Sequence, residues 1–547
     1  MPASTPIDPL EGPKQALAGR VVTMRDDYEV VDKGVVWMEE GAIVAVNAKD
    51  DPAPAGFEDV EPVAIGGTLF PGLIELHNHL AYNALRLWRV PKLFTNRDQW
   101  GRVDDYRKLI SGPMQVLGPS ETLMPAVVRY VECKALVGGT TTSQGIELFS
   151  NQGARRYYRG IVRNVENTDD ADLPDAEAKI SDVVASSARR FLDRLRQRKC
   201  FILHLSEGID EAARGHFLAL RIGRRRWAVT DSLAGIHCAA LKPQDFGVMG
   251  RQHASMVWSP LSNLLLYGHT AMVGDARDAG LRIGLGSDWS PTGSKNLLGE
   301  LKVAKLVSDA ENVFEHDREL VAMVTREAAR ILRWDESLGT LEPPKRADLI
   351  VVDGVTGDPY DALLHADERS LRLVMIGGVP RFGVPGVLER LGAPGEQVTI
   401  GGRRRALNLK QETADPVVGK LSLGEARDRL RDALANLKEL RRRQEERGIT
   451  GFGAAFDAGP LRWALALDEL RPTGVELRPR LRWRRRRTGP ELAPPVEAAG
   501  PPLSEILEPL EVDPLTVADD HDFLDTIDAE PNLPDYVAPG LRALYPS

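Results

Sequence analysis

The sequence predicts an α/β protein built on a (β/α)8, TIM-like barrel, with a small β-domain made from segments on either side of it and a mostly helical C-terminal extension. Three observations predict this. Apolar strand-like runs alternate with longer amphipathic stretches from residue 71 to 335, the texture of repeated βα units. Short β-rich segments punctuated by glycine and charge fill residues 18–70 and return between 336 and 405. Beyond 406 the chain turns into charged amphipathic and then acidic sequence.

Each part follows in order. Residues 1–70 hold "GRVVTM", "VVWMEEGAIVAV" and "AIGGTLF", the first part of the small β-domain. Residues 71–335 supply the barrel strands "LIELHNHL", "GTTTSQG", "GIVRNV", "CFILHLSEG", "LAGIHCAAL", "SMVWSP" and "LRIGLGSDW", with helices over 176–198 and in "LKVAKLVSDAENVF". Residues 336–405 complete the β-domain with "ADLIVVDGV" and "LRLVMIGGVPRFG". Residues 406–547 are an extension of unknown role, opening with the helix "SLGEARDRLRDALANLKELRRRQEERG" and its glycine stop.

Composition excludes several classes. Of 547 residues, 43% are hydrophobic and 27% charged, as in a soluble globular protein. A net charge of −9 argues against general affinity for nucleic acid or anionic membrane. No apolar run approaches the ~18 residues a membrane helix needs, and the N-terminus lacks a basic, apolar leader. Cys133, Cys200 and Cys238 share no metal-binding spacing and read as buried free thiols in a reducing, cytoplasmic setting.

The chemistry concentrates at strand ends. His77 and His79 stand two residues apart, so on a strand both imidazoles face one side at a spacing one metal ion can bridge. His204 ends the next such run, with Glu207 three residues on; His237 and Asp288 end two more. Catalytic groups on a barrel come from the C-terminal ends of several strands. Singly, each has a plainer explanation: a histidine can be a satisfied core residue, Asp288 a turn cap, Glu207 a surface carboxylate. Five metal-competent side chains ending four strands in order are not explained that way.

These motifs resemble the amidohydrolase superfamily, in its cytosine deaminase, S-adenosylhomocysteine deaminase and triazine hydrolase branch, over residues 18–405. "PGLIELHNH" is similar to the family's first-strand signature and "GGTTT" (138–142) to its third-strand motif. "SPLSNLLLYG", "GSDWSPTGSKNLLGELKVA" and "LGTLEPPKRADLIVVD" resemble the stretch after strand seven, strand eight with its helix, and the return into the β-domain. The resemblance implies a barrel with a β-sandwich formed from both flanking segments. It implies that His77, His79, His204 and Asp288 hold one divalent metal ion, zinc before iron. It further implies that Asp288 accepts a proton from the metal-bound water, that His237 orients the resulting hydroxide and polarises the target carbon, and that Glu207 shuttles a proton to a ring nitrogen or leaving amine.

The implied reaction is hydrolytic deamination of an amino-substituted heterocycle, a small-molecule substrate. Cyclic or linear amide hydrolysis is the alternative, triazine dehalogenation a third, and a non-catalytic barrel scaffold the reading from outside the class. The strand-four lysine that bridges two metals in related branches is missing from "YYRGIVRNVENTDD", where Glu166 is the only substitute, so one metal is expected. Trp258 stands where the branch has histidine, and the insert 80–102 after His79 is rich enough in Trp, Tyr and Asn to be a lid. Gln144, Trp258 and Asn263 are candidate substrate contacts; His253 and His269 are read as structural. The arginine run 478–487 invites nucleic acid, but no binding motif accompanies it, and the acidic residues after it suit contact within the molecule or in a homo-oligomer. The acidic tail keeps regularly spaced apolar residues and is expected to dock as short helices.

Overall fold

The structure, a computed structural model, describes residues 12–446, 460–467 and 501–545. The arginine run 478–487 lies outside the described residues. Five strands, Glu177–Lys179, Phe201–Leu205, Leu233–His237, Ser255–Trp258 and Arg282–Leu285, pair in chain order as one parallel sheet. Leu73–Ile74, Thr140–Ser143 and Arg163–Asn164 form a second parallel sheet. The first and last of these eight strands meet: Leu76 N–H donates to Leu285 O at 3.4 Å, and Asn78 bridges to Asp288. Every residue of Phe201–Leu205, Leu233–His237 and Ser255–Trp258 is buried. Strands covered on both faces read as unbroken apolar runs, which is what the sequence shows there.

Several expectations shift. The "GGTTT" motif, expected on the third strand, lies on the strand directly beside the first. Arg163–Asn164, taken as strand four, is consequently the third, and Glu177–Lys179 follows it in chain order. The helix expected over 176–198 is an α-helix only across Ala188–Leu195, because Glu177–Lys179 pairs in parallel with Phe201–Leu203. Local helix preference yields there to sheet pairing. The His-x-His segment, expected on a strand, lies beyond the regular strand, which ends at Ile74. Backbone bonds to the other loop hold it instead, from Asp288 N–H to His77 O (3.0 Å) and from His79 N–H to Asp288 O (2.6 Å).

The small β-domain takes the form of one hydrogen-bonded sheet of nine strands. Gln15–Val22, Val30–Glu39, Ala42–Ala48 and Val63–Pro71 join Leu349–Asp353, Leu371–Ile376, Val379–Gly383, Glu396–Ile400 and Arg403–Leu407. The seam is Val63–Pro71 against Leu349–Asp353, antiparallel from Pro71–Leu349 to Gly67–Asp353. Val63–Pro71 runs almost directly into Leu73–Ile74, so this seam fixes where the first parallel strand and the histidines after it begin.

The extension packs against the rest of the chain. The helix expected from Ser422 onward divides into Leu423–Ala435 and Leu437–Glu446 at Asn436, whose side chain bonds back to Asp432 O at 2.8 Å. Leu423, Ala426, Leu430, Ala433 and Leu434 are buried in the main core, which also includes residues of the helix Met124–Val137. The acidic tail forms Leu503–Ile506, Phe523–Asp528 and Val537–Leu544, with Leu503, Phe523, Ile527, Val537 and Leu541 buried. Among the described residues no helix is long and apolar enough to cross a membrane, and Cys133, Cys200 and Cys238 are buried and free.

A separate core cluster joins Ile74, Leu76, Ile202, Ile236 and Val257 of the parallel strands to Trp334. The Trp334 side chain is wholly buried and its indole N–H donates to Pro174 O at 2.9 Å. Replacing it by alanine empties a large volume and orphans that carbonyl, so Trp334→Ala is expected to lose about 3–5 kcal/mol of stability, read as a lowered denaturant midpoint.

Candidate metal centre

The ends of the parallel strands converge their polar side chains. His77 Nε2 lies 3.0 Å and His79 Nε2 3.5 Å from Asp288 Oδ1. His204 Nε2 lies 3.3 Å from His79 Nε2. Two overlapping groups result, His77–His204–His237 and His77–His79–Asp288, each with ligand atoms within 4.8 Å of one another. His237 and Asp288 reach this point from left-handed backbone, at φ 63° and 62°. Such conformations carry a cost that the surrounding structure must impose.

The donor set suits a divalent ion. His204 Nδ1 is buried with no hydrogen-bond partner among the described residues, and buried His77 Nε2 meets the Asp288 carboxylate; an unpaired buried nitrogen is a costly state unless something binds there. Burial holds the His77 and His204 imidazoles below their ordinary pKa, His204 far below, and lowers His237 to about 4. A neutral imidazole is the form that ligates metal. Burial alone would raise the Asp288 carboxyl, but the surrounding imidazoles of His77, His237 and His79 pull it well below the usual range, so it carries a negative charge.

Neighbours orient these groups. Gln144 Oε1 accepts from His77 Nδ1 and from Asn78 N–H, both at 3.0 Å. Asn263 Nδ2 lies 3.1 Å from His237 Nδ1. Ser262 Oγ donates to Asp288 Oδ2 at 2.6 Å. Gln144 and Asn263, expected to touch substrate, thus hold ring nitrogens whose opposite edges face the cluster, the usual arrangement around ligating histidines. Trp258, also expected at the substrate, is wholly buried with its indole N–H on Thr270 Oγ1 at 2.7 Å. Glu166, the candidate second-metal bridge, accepts from Gly145 N–H at 2.8 Å.

Glu207 completes the constellation. Its Oε1 accepts from Tyr267 O–H at 2.8 Å, and its Oε2 lies 3.7 Å from His237 Nε2 and 4.0 Å from Arg97 Nη1. Burial raises its pKa and the Asp288 charge adds to this, against the lowering pull of Arg97. The insert 80–102 covers the site: Trp100 donates to Tyr267 Oη at 3.1 Å and packs against Trp289, which packs against His79. Sequence reasoning missed Tyr267, Arg97, Ser262 and Glu75. The signal for Glu75 was present, since a carboxylate inside the apolar run "PGLIEL" must find donors. It finds Ser287 N–H at 2.9 Å and Ser287 O–H at 2.7 Å, and burial still lifts it to about 7.

The model of the amidohydrolase family matches residues 204–381. The chain is 24% identical over 390 residues to a 5-methylthioadenosine/S-adenosylhomocysteine deaminase of Symbiobacterium thermophilum, covering 61% of this chain and 84% of the relative. It is 26% identical over 383 residues to the protein of the same name from Syntrophobacter fumaroxidans, covering 61% and 83%. Among solved structures it superposes on guanine deaminase from Bradyrhizobium japonicum with TM-score 0.52 at 16% identity, covering 67% of this chain and 99% of that one. A triazine hydrolase variant gives TM-score 0.51 at 19% identity, covering 70% and 98%.

Proposed function

We propose that this chain, which matches the amidohydrolase family model over residues 204–381, is a metal-dependent hydrolase of carbon–nitrogen bonds that deaminates an amino-substituted heterocycle. The eight parallel strands then form one closed (β/α)8 barrel, with residues 71–335 as the catalytic domain. His77, His79, His204 and Asp288 hold a single divalent ion, zinc being well suited to a nitrogen-rich set with one carboxylate. When bound, that ion supplies Lewis acidity and makes water a competent nucleophile near neutral pH.

The chain's own groups do the rest. Asp288 Oδ1, ionised and facing two ligand imidazoles, accepts a proton from the attacking water. Glu207, whose burial favours the protonated carboxyl, delivers its proton to the heterocycle nitrogen, recovers one from the hydroxyl added to the ring carbon and passes that one to the departing amine, after which the proton held by Asp288 restores the acid. His237 Nε2, 3.7 Å from Glu207, faces the carbon under attack. Water adds to the ring carbon, the C–N bond breaks, and ammonia leaves with the proton that Glu207 passes to it. Trp289, Tyr82 and Trp100 form an aromatic wall next to His79 against which a planar ring stacks. The buried thiols suit a reducing, cytoplasmic setting.

The observation that carries this reading is the buried Glu207 set beside His237 and the His77–His79–Asp288 group. Protein purified without chelator is expected to contain about one zinc or iron per chain by plasma emission and to release ammonia from aminated purines, with methylthioadenosine and S-adenosylhomocysteine among the first tried. Chelation should remove both metal and ammonia release, and added zinc should restore them. Two metals per chain, or hydrolysis of cyclic amides without ammonia release, would move the assignment to amide hydrolysis.

A further inference from the structure

The C-terminal extension reaches the loops that carry the metal-binding candidates. Residues 508–520 have no helix or strand and run as a strap over the roots of those loops. Asp513 is wholly buried at the middle of the strap, and its N–H donates to Ala84 O at 3.0 Å. Its carboxylate is clasped between the ammonium groups of Lys134 and Lys295, both buried. Asp520 Oδ2 supplies Lys295 with a second partner at 2.8 Å. Two cations and two anions therefore balance inside the protein, half of them from the extension. Arg86, at the start of the insert, pairs with Glu511 at 2.9 Å and Asp522 at 3.1 Å, fastening the strap at both ends.

From Lys134 the bonds continue into the site. Its Nζ donates to Asn83 O at 2.9 Å and to Ser290 Oγ at 2.8 Å. Asn83 in turn accepts from Ser290 N–H at 2.9 Å and donates to Asn78 Oδ1 at 3.0 Å. Asn78 donates to Ser287 Oγ at 2.9 Å. Asn78 is the residue between His77 and His79, and Ser287 precedes Asp288. A continuous path of hydrogen bonds thus leads from the strap to both loops whose separation sets the His77–His79–Asp288 geometry.

We propose that residues 508–520 are a built-in part of the metal centre, with Asp513 a positioning residue that acts through Lys134 to hold loops 77–84 and 287–296 at ligand spacing. The inference rests on the metal reading above and assigns the extension a task in it. A buried cluster that only glued the tail down would not need to pass its bonds to Asn83 and Ser290. Removing one carboxylate leaves Lys134 with a weaker hold, and the loops relax while the ligands themselves stay in the chain.

The test is cobalt(II) titration of the full-length, metal-free protein, followed by the ligand-field spectrum, with melting temperature measured alongside. Asp513→Asn and Lys134→Met are each expected to weaken cobalt binding about 10–100-fold and to shift the visible bands, as losses behind a ligand shell do. The double variant should be little worse than either single one, since both cut the same path. Ser290→Ala leaves the four-charge cluster whole and removes only the direct bond from Lys134 to the Asp288 loop; it is expected to weaken binding several-fold and serves if the charge variants fail to fold. Wild-type cobalt affinity and spectrum in Ser290→Ala and in every variant that folds, whatever the melting temperatures, would overturn the proposal. A wild-type chain that takes up no cobalt would overturn the metal reading itself, an outcome seen before any variant is compared.

Discussion

Asp288→Asn protein is expected to fold, to be purified with little metal, and to turn over at least about 10³-fold more slowly than the parent. The change removes one negative charge and almost no volume. Asp288 sits at φ 62°, a conformation asparagine tolerates well, and the new amide oxygen can still accept from Ser262. What is lost is the anion that faces His77 Nε2 at 3.0 Å and His79 Nε2 at 3.5 Å. Proton acceptance alone accounts for about 10²–10⁴ in rate, and a weakened metal adds to it. Metal per chain and kcat on the same preparation decide the matter. Parental metal content with kcat within tenfold would remove Asp288 from the centre.

Glu207→Gln should leave metal content and KM nearly unchanged while kcat falls by about 10²–10⁴-fold. The pH profile gives the sharper reading. Burial raises the Glu207 pKa above the ordinary 4.5, so the carboxyl keeps its proton in a range where an exposed glutamate has lost it. A proton donor of this kind works below its pKa and fails as the pH rises through it, which places one descending limb of kcat above pH 4.5. In Glu207→Gln that limb should vanish, and substrates with better leaving groups than an amine should suffer less, because they need less protonation on departure. An unchanged limb in the variant would assign it to another group and return Glu207 to a structural place beside Tyr267 and Arg97.

The candidate ligands were legible because few side-chain types can bind a metal ion. His77, His79, His204, His237 and Asp288 each end an apolar run, and few roles ask for such side chains at such positions. The parallel strands were legible for a related reason, since burial on both faces leaves an unbroken apolar signature in "FILHL" and "LAGIH". The strand Glu177–Lys179 was not, because its composition suits a helix and only its neighbour Phe201–Leu203 makes it a strand. The tail shows both sides. Its apolar spacing foretold docking, yet nothing in "EVDPL" marks Asp513 as the partner of lysines 379 and 218 positions away.

By itself, then, the sequence determined which atoms are available for chemistry and that they lie at strand ends, because ligand identity and strand periodicity are properties of single residues and short windows. Only the tertiary structure decided what each of them leans on: Gln144 behind His77, Asn263 behind His237, Tyr267 on Glu207, and Asp513 behind Lys134. The physical reason is that a buried polar group must be satisfied, but almost any polar residue can satisfy it. Which one does so depends on what the folded chain brings within about 3 Å, and that distance has no counterpart along the sequence.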